Sequence, residues 1–521
     1  MLVVNLFGCP GSGKCFGLGT KVLMFDGSIK NIEDIKIGDV VMGDDSMPRT
    51  VLDLHRGRSK LYKLHINKLQ DLIVSENHIL SICYSHRKTH EFIYEDIQIE
   101  KFLNRSKRYQ EKAKFYQVPV SYAEKTLHID PYYLGIWLGD GLSESLSRMS
   151  ISDEEILDYC SKYSQSLGLT LKQHSFKKDS KCQTYCLSSL NNGYTKLHPI
   201  CKWNKEYNLQ NNKHIPIEYL TSSRKQRLEL LAGLLDTDGY LKNNCYEITQ
   251  KNYQLAIDIC KLAWSLGYNA IIKDTYKKAQ TMETSKLYYR INICGNFEEL
   301  PVKVKRKKPS NKNKKTYSIH HGFVIKVMPD EGNYYGIEVD GNGRFLLDNC
   351  MVVHNSTGAA YIFSKLKLAS VNAELVTEFA KDKVWEDTKA VFENQAYIFG
   401  KQSFRISRCE GKVDVIVTDS PLPLSIFYNK NTHIYGTSFN KFVMDVFNHY
   451  NNYNFFIHRV KPYNPKGRFQ SEEESNALKK PMMDFLTRYN IHHWGVSGCL
   501  EGYDSIVDTV LCKLREMNSG N

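Results

Sequence analysis

Gly8, Gly13 and Lys14 stand in GCPGSGK at the spacing G-x-x-x-x-G-K. In a loop of that pattern backbone amides cradle phosphate and the lysine reaches the outer phosphates. The next residue should be Ser or Thr, whose hydroxyl holds Mg²⁺, yet Cys15 follows. The missing pair, Ser356 and Thr357, comes after His354 and Asn355 in MVVHNSTGAAYIF and leads into a helix-compatible apolar run. Deleting residues 15–355 restores G-x-x-x-x-G-K-S-T.

The residues at the two junctions supply chemistry for that deletion. A Cys15 thiolate can attack the Lys14 carbonyl and turn that peptide into a thioester. The Ser356 hydroxyl can then take over the N-terminal segment as a branched ester. Asn355 can cleave its own peptide bond by closing into a succinimide, with His354 donating a proton to the departing group. The freed ester rearranges to an amide that joins Lys14 to Ser356.

These groups meet only if a scaffold gathers them. From Gly19 the text KVLMFDGSIKNIEDIKIGDVVMGDDSMPRTVLDLHRGRSKLYKL alternates short β-branched runs with DG and GD turn signals, which predicts hairpins. Similar spacing returns in HHGFVIKVMPDEGNYYGIEVDGNGRFLLDNCMVVHN. Between them, IDPYYLGIWLGDG, SDEEILDYCSKYSQSLGL, RKQRLELLAGLLDTDGY and NYQLAIDICKLAWSLGYN predict helices, and QTYCLSS and KLYYRINICG predict strands. The expectation is an all-β domain split by an α/β domain that repeats helix-strand-strand-helix twice.

On these residues the span 15–355 resembles an intein, close to the vacuolar-ATPase type, with Cys15 and FGLGTKVLMFDGS as its first block and FLLDNCMVVHN as its last. The resemblance implies a Hint fold that splices itself without a cofactor. It also implies that LIVSENHIL, in the place of a Thr-x-x-His block, supplies Ser75 and His78, with His78 polarising the Lys14 peptide. Where many inteins carry a second helper His, about ten residues before the terminal His-Asn, this chain has Gly343.

YLGIWLGDG (Tyr133 to Gly141) and LAGLLDTDG (Leu231 to Gly239) align without a gap. Gly135 and Gly233, then Gly139 and Thr237, put small residues in one register. Two helices packed on those faces approach closely and bring Asp140 and Asp238 together. Converging carboxylates suit a hard divalent cation in phosphodiester hydrolysis. The pair resembles the two motifs of LAGLIDADG homing endonucleases. That resemblance implies Mg²⁺ at Asp140 and Asp238, double-stranded DNA as substrate, a basic residue at Lys213 that positions water or offsets charge, and a second lysine at Lys307 or Lys308. Val302 to Lys315, VKVKRKKPSNKNKK, holds eight Lys or Arg and no acid, and NRSKRYQEKAKFY mixes cations with aromatics. Both suit phosphate contacts; a solvated connector is the other reading of the first.

Rejoined, residues 1–14 and 356–521 read as strand (LVVNLFG), phosphate loop, helix (TGAAYIFSKLKL), with a second buried strand, KVDVIVTDSP, ending at Asp419 in the position of a Walker B carboxylate. RVKPYNPKGRFQSEEESN looks like the lid of small P-loop kinases, with Arg459, Lys461 and Arg468 toward phosphates. This part resembles a small P-loop ATPase or nucleotide kinase, an interrupted α/β fold that binds ATP and Mg²⁺ once rejoined.

The totals agree. A chain of 521 residues is too long for one core. The expected layout is 1–14 with 356–521 as host, 15–125 with 316–355 as splicing domain, and 126–315 as endonuclease. The host carries 21 Lys and Arg against 18 Asp and Glu, leaving 49 against 39 for residues 15–355, so the basic excess favours a polyanionic partner for the insert. No run approaches membrane-span length and no basic leader precedes MLVVNLFGCPG, so a soluble, cytoplasmic protein with a monomeric insert is expected. Fourteen cysteines lack a paired C-x-x-C framework, and Cys182, Cys186, His198 and Cys201 fit no common zinc spacing, so free thiols are expected. Two other readings stay open: a continuous ATPase-nuclease that never splices, and a splicing insert whose nuclease has decayed.

Overall fold

The computed structural model describes residues 1–8, 15–76, 78–86, 88–175, 182–189, 199–277, 285–309, 319–340, 342–354, 358–376, 379, 394–429, 436–458 and 479–519. Lys14, Asn355, Ser356, Thr357, Gly13, His198, Arg459, Lys461 and Arg468 lie outside them.

The frame of the β domain is one long antiparallel pair. Pro48–Ile66 runs beside His320–Val339 from Val51↔Val339 to Ile66↔Phe323, with a register shift between Val327 and Glu331. Strands from opposite ends of the insert thereby share one sheet, and the short strand Phe16–Gly17 lies in it between Leu72–Ser75 and the C-terminal partner. The inward face packs Phe16, Val74, Leu80, Phe115, Ile337 and Phe345 into one core. The aromatics of NRSKRYQEKAKFY belong to this fold: Phe115 and Tyr116 are buried and Tyr109 tilts against Phe102. The rings of that stretch are thus spent on the β core.

A second core runs from Ile129 to Val304. Its axis is a helix pair. Pro131–Asp140 starts with Asp130 accepting from the Tyr133 amide and with Pro131 in its first turn, and Arg224–Asp238 starts with a Ser223–Gln226 capping box. From Pro131 to Leu138 and from Leu230 to Asp236 every residue is buried, so along these stretches the two helices are enclosed on all sides. Each half continues through a further helix (Glu154–Ser166 or Tyr253–Ser265) and then a hairpin (Leu169–Ser175 with Gln183–Ser189, or Asn269–Lys277 with Lys286–Cys294). The repeat is thus one hairpin longer than the four-element pattern expected. In the first half the strand pair after the leading helix shrinks to a Gly141–Met149 bridge, whereas the second half has Tyr240–Lys242 beside Cys245–Gln250.

Cys245 and Cys294 form a disulfide, which corrects the expectation of free thiols throughout. They lie directly opposite on paired strands with Cα atoms 4.6 Å apart. Register, and no sequence spacing, makes them partners.

Leu2–Gly8 forms the centre of a five-stranded parallel sheet with Ala373–Val376, Val415–Thr418, Asn451–His458 and Trp494–Ser497. In chain order these strands are arranged 2-3-1-4-5. Residues 2–7 and Val415–Thr418 are buried throughout because both faces of the sheet are covered by separate cores, one against Gly358–Leu368 and Leu500–Ser519, the other around Phe399 and Phe485. No helix among the described residues is long and apolar enough to cross a membrane.

Candidate functional sites

At the first junction Cys15 is fully buried among Leu61, Ile73 and Tyr334. Ser75 clamps it from both sides: the Cys15 amide donates to Ser75 Oγ at 3.2 Å, and the Ser75 amide donates to the Cys15 carbonyl at 2.9 Å. That Cys15 nitrogen belongs to the Lys14–Cys15 peptide. His78 is held by its amide on the Ser75 carbonyl (3.0 Å) and packs its ring edge-on against Phe16, centroids 4.7 Å apart. Burial pushes the Cys15 thiol far up, with the Arg56 guanidinium offsetting part of that, so the group rests as a thiol and needs a base to become a nucleophile.

His354 ends the strand Val352–His354, paired with Arg344–Leu346 so that Arg344 lies opposite His354. Phe345 of that pair meets Phe16 at 5.9 Å, edge to face. A run of rings, His78, Phe16 and Phe345, thus connects the two junction strands. The structure sets Ser75 on Cys15 and His78 against Phe16, and joins this group to the hairpin that carries His354 through Phe345.

The second site lies at the ends of the helix pair. A methyl added to Gly135 would strike the Leu230 carbonyl and stand 3.0 Å from the Gly233 Cα; one added to Gly233 would strike the Tyr132 carbonyl. Backbone therefore meets backbone, as the small-residue register requires. Gly139 faces Thr237, and the helices end together at half-buried Asp140 and Asp238. Burial raises both carboxyls; for Asp140 the neighbouring Asp238 adds to this and brings it to about 6, while Lys307 and Lys213 pull the other way. Gln250 donates to Asp238 Oδ2 at 2.6 Å, a contact the sequence does not signal.

Lys213 donates to the Leu138 (2.9 Å) and Gly139 (3.1 Å) carbonyls, with its ammonium over the Trp137 ring. Lys307 does the same for the other helix, on the Leu235, Asp236 and Thr237 carbonyls at 3.2, 2.8 and 2.6 Å. Because 133–141 and 231–239 are aligned, the two cations hold equivalent carbonyls, and each complements the negative end of a helix. Burial lowers both, Lys213 to about 8. Of Lys307 and Lys308, it is Lys307 whose ammonium turns in to the helix end.

The basic run around it is neither a loose connector nor a bare phosphate track over residues 302–308. Val302 and Val304 are core residues, Lys303 lies over Tyr132 and Tyr159, and Arg306 pairs with Asp153 at 2.7 Å. The alternation of Val302 and Val304 with cations was the overlooked signal of a partly buried segment. Lys312, Lys314 and Lys315 lie outside the described residues.

Among the described residues no group of three His, Cys, Asp or Glu is placed to hold a metal. The donor set at the helix ends is the carboxylate pair, and two half-buried carboxylates raised by burial and mutual repulsion are the chemistry a divalent cation relieves. In the parallel sheet, Gly8 ends the central strand and Asp419 follows Val415–Thr418, its parallel neighbour, at the same carboxyl edge. The segments on either side of the interrupted loop, 9–14 and 355–357, lie outside the described residues.

Comparison with known proteins matches residues 15–131 to the family described as Hom_end-associated Hint and residues 214–324 to the family described as Homing endonuclease. The replicative DNA helicase DnaB of Mycobacterium intracellulare is 30% identical over 268 residues, covering 49% of this chain and 40% of that protein. The catalytic polypeptide of the V-type proton ATPase of Candida tropicalis is 54% identical over 50 residues, 10% of this chain and 5% of that protein. The chain spans less than half the length of these curated relatives. Among solved structures, the gp41-1 intein is 22% identical over 17% of this chain and 81% of its own, with a TM-score of 0.13. Mesophilic variants of the homing endonuclease I-DmoI are 16% identical over 32% of this chain and 88% of their own, with a TM-score of 0.22. Two segments of the chain thus match the models of a Hint domain and of a homing endonuclease domain.

Proposed function

We propose that this chain is a self-splicing precursor. Residues 15–355 excise themselves and join Lys14 to Ser356. The clamp of Cys15 by Ser75 carries this reading: it fixes the nitrogen that must leave in the first acyl shift. His78, held on the Ser75 carbonyl, is the acid and base of that shift. His354 serves the second cleavage at Asn355. The Hint match beginning at Cys15 supports the boundary. Expression followed by denaturing electrophoresis and mass spectrometry tests it. Splicing replaces 60.2 kDa with bands of roughly 21 and 39 kDa by residue count, and a peptide spanning 14 and 356 appears. A reduced chain that stays intact for days supports the continuous ATPase-nuclease instead.

The excised piece is a double-stranded DNA endonuclease. Asp140 and Asp238 would hold Mg²⁺, which when bound activates water and offsets charge on the scissile phosphate. Lys213 and Lys307 keep positive charge beside both carboxylates and hold the helix ends on which these sit. Plasmid cleavage with Mg²⁺, lost in Asp140→Ala or Asp238→Ala, separates an active nuclease from a decayed one.

The rejoined host binds ATP at the carboxyl edge of its parallel sheet. The strand order with Leu2–Gly8 in the centre, the helix Gly358–Leu368 and Asp419 on the adjacent strand support a P-loop there. In the precursor the loop is divided between residues 14 and 356. Nucleotide binding should therefore appear with the shorter, rejoined product and be missing from a Cys15→Ala precursor.

A further inference from the structure

Beside His354 lies a carboxylate that the splicing chemistry above leaves unused. Asp96, on the strand Phe92–Gln98, is 16% exposed and accepts from Ser81 Oγ at 2.7 Å, directly across the strand pair. Its other oxygen accepts from Arg344 Nη2 at 2.6 Å, and Arg344 is the residue opposite His354 in the terminal hairpin. One residue earlier Gly343 has φ +70°, a backbone state that side chains with a Cβ rarely adopt. A helper imidazole in that place would strain the turn. The strand beside it offers a fixed anion instead.

We infer that Asp96, braced by Ser81 and Arg344, is the positioning residue that orients His354 for cleavage after Asn355, taking the part left open at Gly343. The inference rests on the splicing reading. In the cleavage the Asn355 side-chain nitrogen bonds to its own backbone carbonyl carbon and the bond from that carbon to the Ser356 nitrogen breaks. The proton shed by the side-chain nitrogen is balanced by the one the departing amine gains, and nothing is oxidised or reduced. Asp96 forms no bond in this step. A carboxylate near an imidazole favours its protonated form, the form that gives a proton to a leaving amine.

The surroundings keep Asp96 ionised for that task. Burial disfavours its charge, but His354 and Arg344 outweigh burial and hold the carboxyl below its usual range. Asp44 reaches Arg344 at 3.7 Å, so that guanidinium is shared between two carboxylates. From the host side Tyr361 faces His354 with ring centroids 6.5 Å apart, its hydroxyl donating to Asp504 at 2.8 Å. Among the described residues the charged and titratable groups around His354 include Asp96, Arg344 with Asp44, Tyr116 and Cys83 beside them, and on the host side Tyr361 with Asp504, Lys365 and Glu501.

The test uses the full precursor with Cys15→Ala, in which cleavage after Asn355 is followed alone, and in parallel the parent chain, in which thiol-induced cleavage after Lys14 reports the first step. Asp96→Asn should slow cleavage after Asn355 at least tenfold and move its pH profile toward acid. Thiol cleavage should stay within twofold, and Asp96→Glu should restore part of the rate. Ser81→Ala, a milder change, should slow the same step about threefold. Unchanged cleavage after Asn355 in both Asp96→Asn and Ser81→Ala overturns the inference. So does a parallel fall in both junction steps with the pH profile unmoved, which marks a structural role. A parent chain that performs neither step sinks the splicing reading itself.

Discussion

The proposed splicing centre and the proposed nuclease centre are built from opposite materials. The first is a dry cluster in which the nucleophile is fully buried and burial keeps it protonated. It is assembled by β pairing between segments from opposite ends of the insert. The second gathers two half-buried carboxylates, the half-buried ammonium of Lys213 and the buried one of Lys307 at the ends of two helices. A reaction that occurs once per molecule tolerates a nucleophile held in a reluctant state. A reaction on an incoming polyanion needs its charges in place beforehand, with a cation to reconcile them.

The sharpest way to break this comparison is a reciprocal exchange. Cys15→Ala should abolish ligation of 14 to 356 and leave plasmid cleavage untouched. Asp238→Asn should lower plasmid cleavage about 10²–10³-fold with splicing yield unchanged. Loss of both activities from either substitution would mean that the two centres are not separate.

Next in size is Gly233→Ala. The added methyl strikes the Tyr132 carbonyl, and two backbones have no flexible end to yield. Destabilisation of the nuclease core by about 2–3 kcal/mol is expected. Denaturant unfolding should show the nuclease transition shifted and the β-domain transition in place.

A smaller effect with the opposite sign is expected at Asp140. Its folded-state carboxyl sits near 6, raised first by burial and then by Asp238. The folded chain holds that proton more tightly than the unfolded one, so stability falls as pH rises from about 4 to 6. Asp140→Asn should therefore stabilise the metal-free protein at pH 7.5 by about 1–2 kcal/mol, allowing for its partial exposure. Adding Mg²⁺ should raise the melting temperature of the parent and not of the variant. The same proton predicts that cleavage declines as pH falls below about 6.

The smallest effect belongs to the contact between host and insert. Lys101 pairs with Glu501, whose carboxyl that hydrogen bond draws down to about 2. Both side chains are solvent-accessible, so Lys101→Ala should change precursor stability by less than about 0.5 kcal/mol and leave splicing yield within error.

Much of this was legible in the chain text because the relevant signals are local. Hairpin turns, the paired motifs ending at Asp140 and Asp238, and the Ser75 and His78 block are short patterns whose chemistry travels with their spacing. The small-residue register was enough to bring the two helices together, since absence of a side chain is itself a geometric instruction. Other features were hidden for a common reason. Lys307 and Lys308 are adjacent and chemically equal, and only the fold turns one of them inward onto helix carbonyls. Gln250, Arg344 and Asp96 look like ordinary strand residues until pairing register sets them beside Asp238 and His354.

By itself the sequence proposed where the insert begins and ends, because removing residues 15–355 repairs a loop whose residue types are dictated by phosphate chemistry. It also determined that two carboxylates would converge. Tertiary structure alone decided which groups surround those reactive residues: the Ser75 clamp, the Cys245–Cys294 bond, the inward turn of Lys307, and the carboxylate beside His354. Each depends on which residue of one strand faces which residue of another. A slip of one position in register turns every side chain to the other face, and no local pattern encodes that choice.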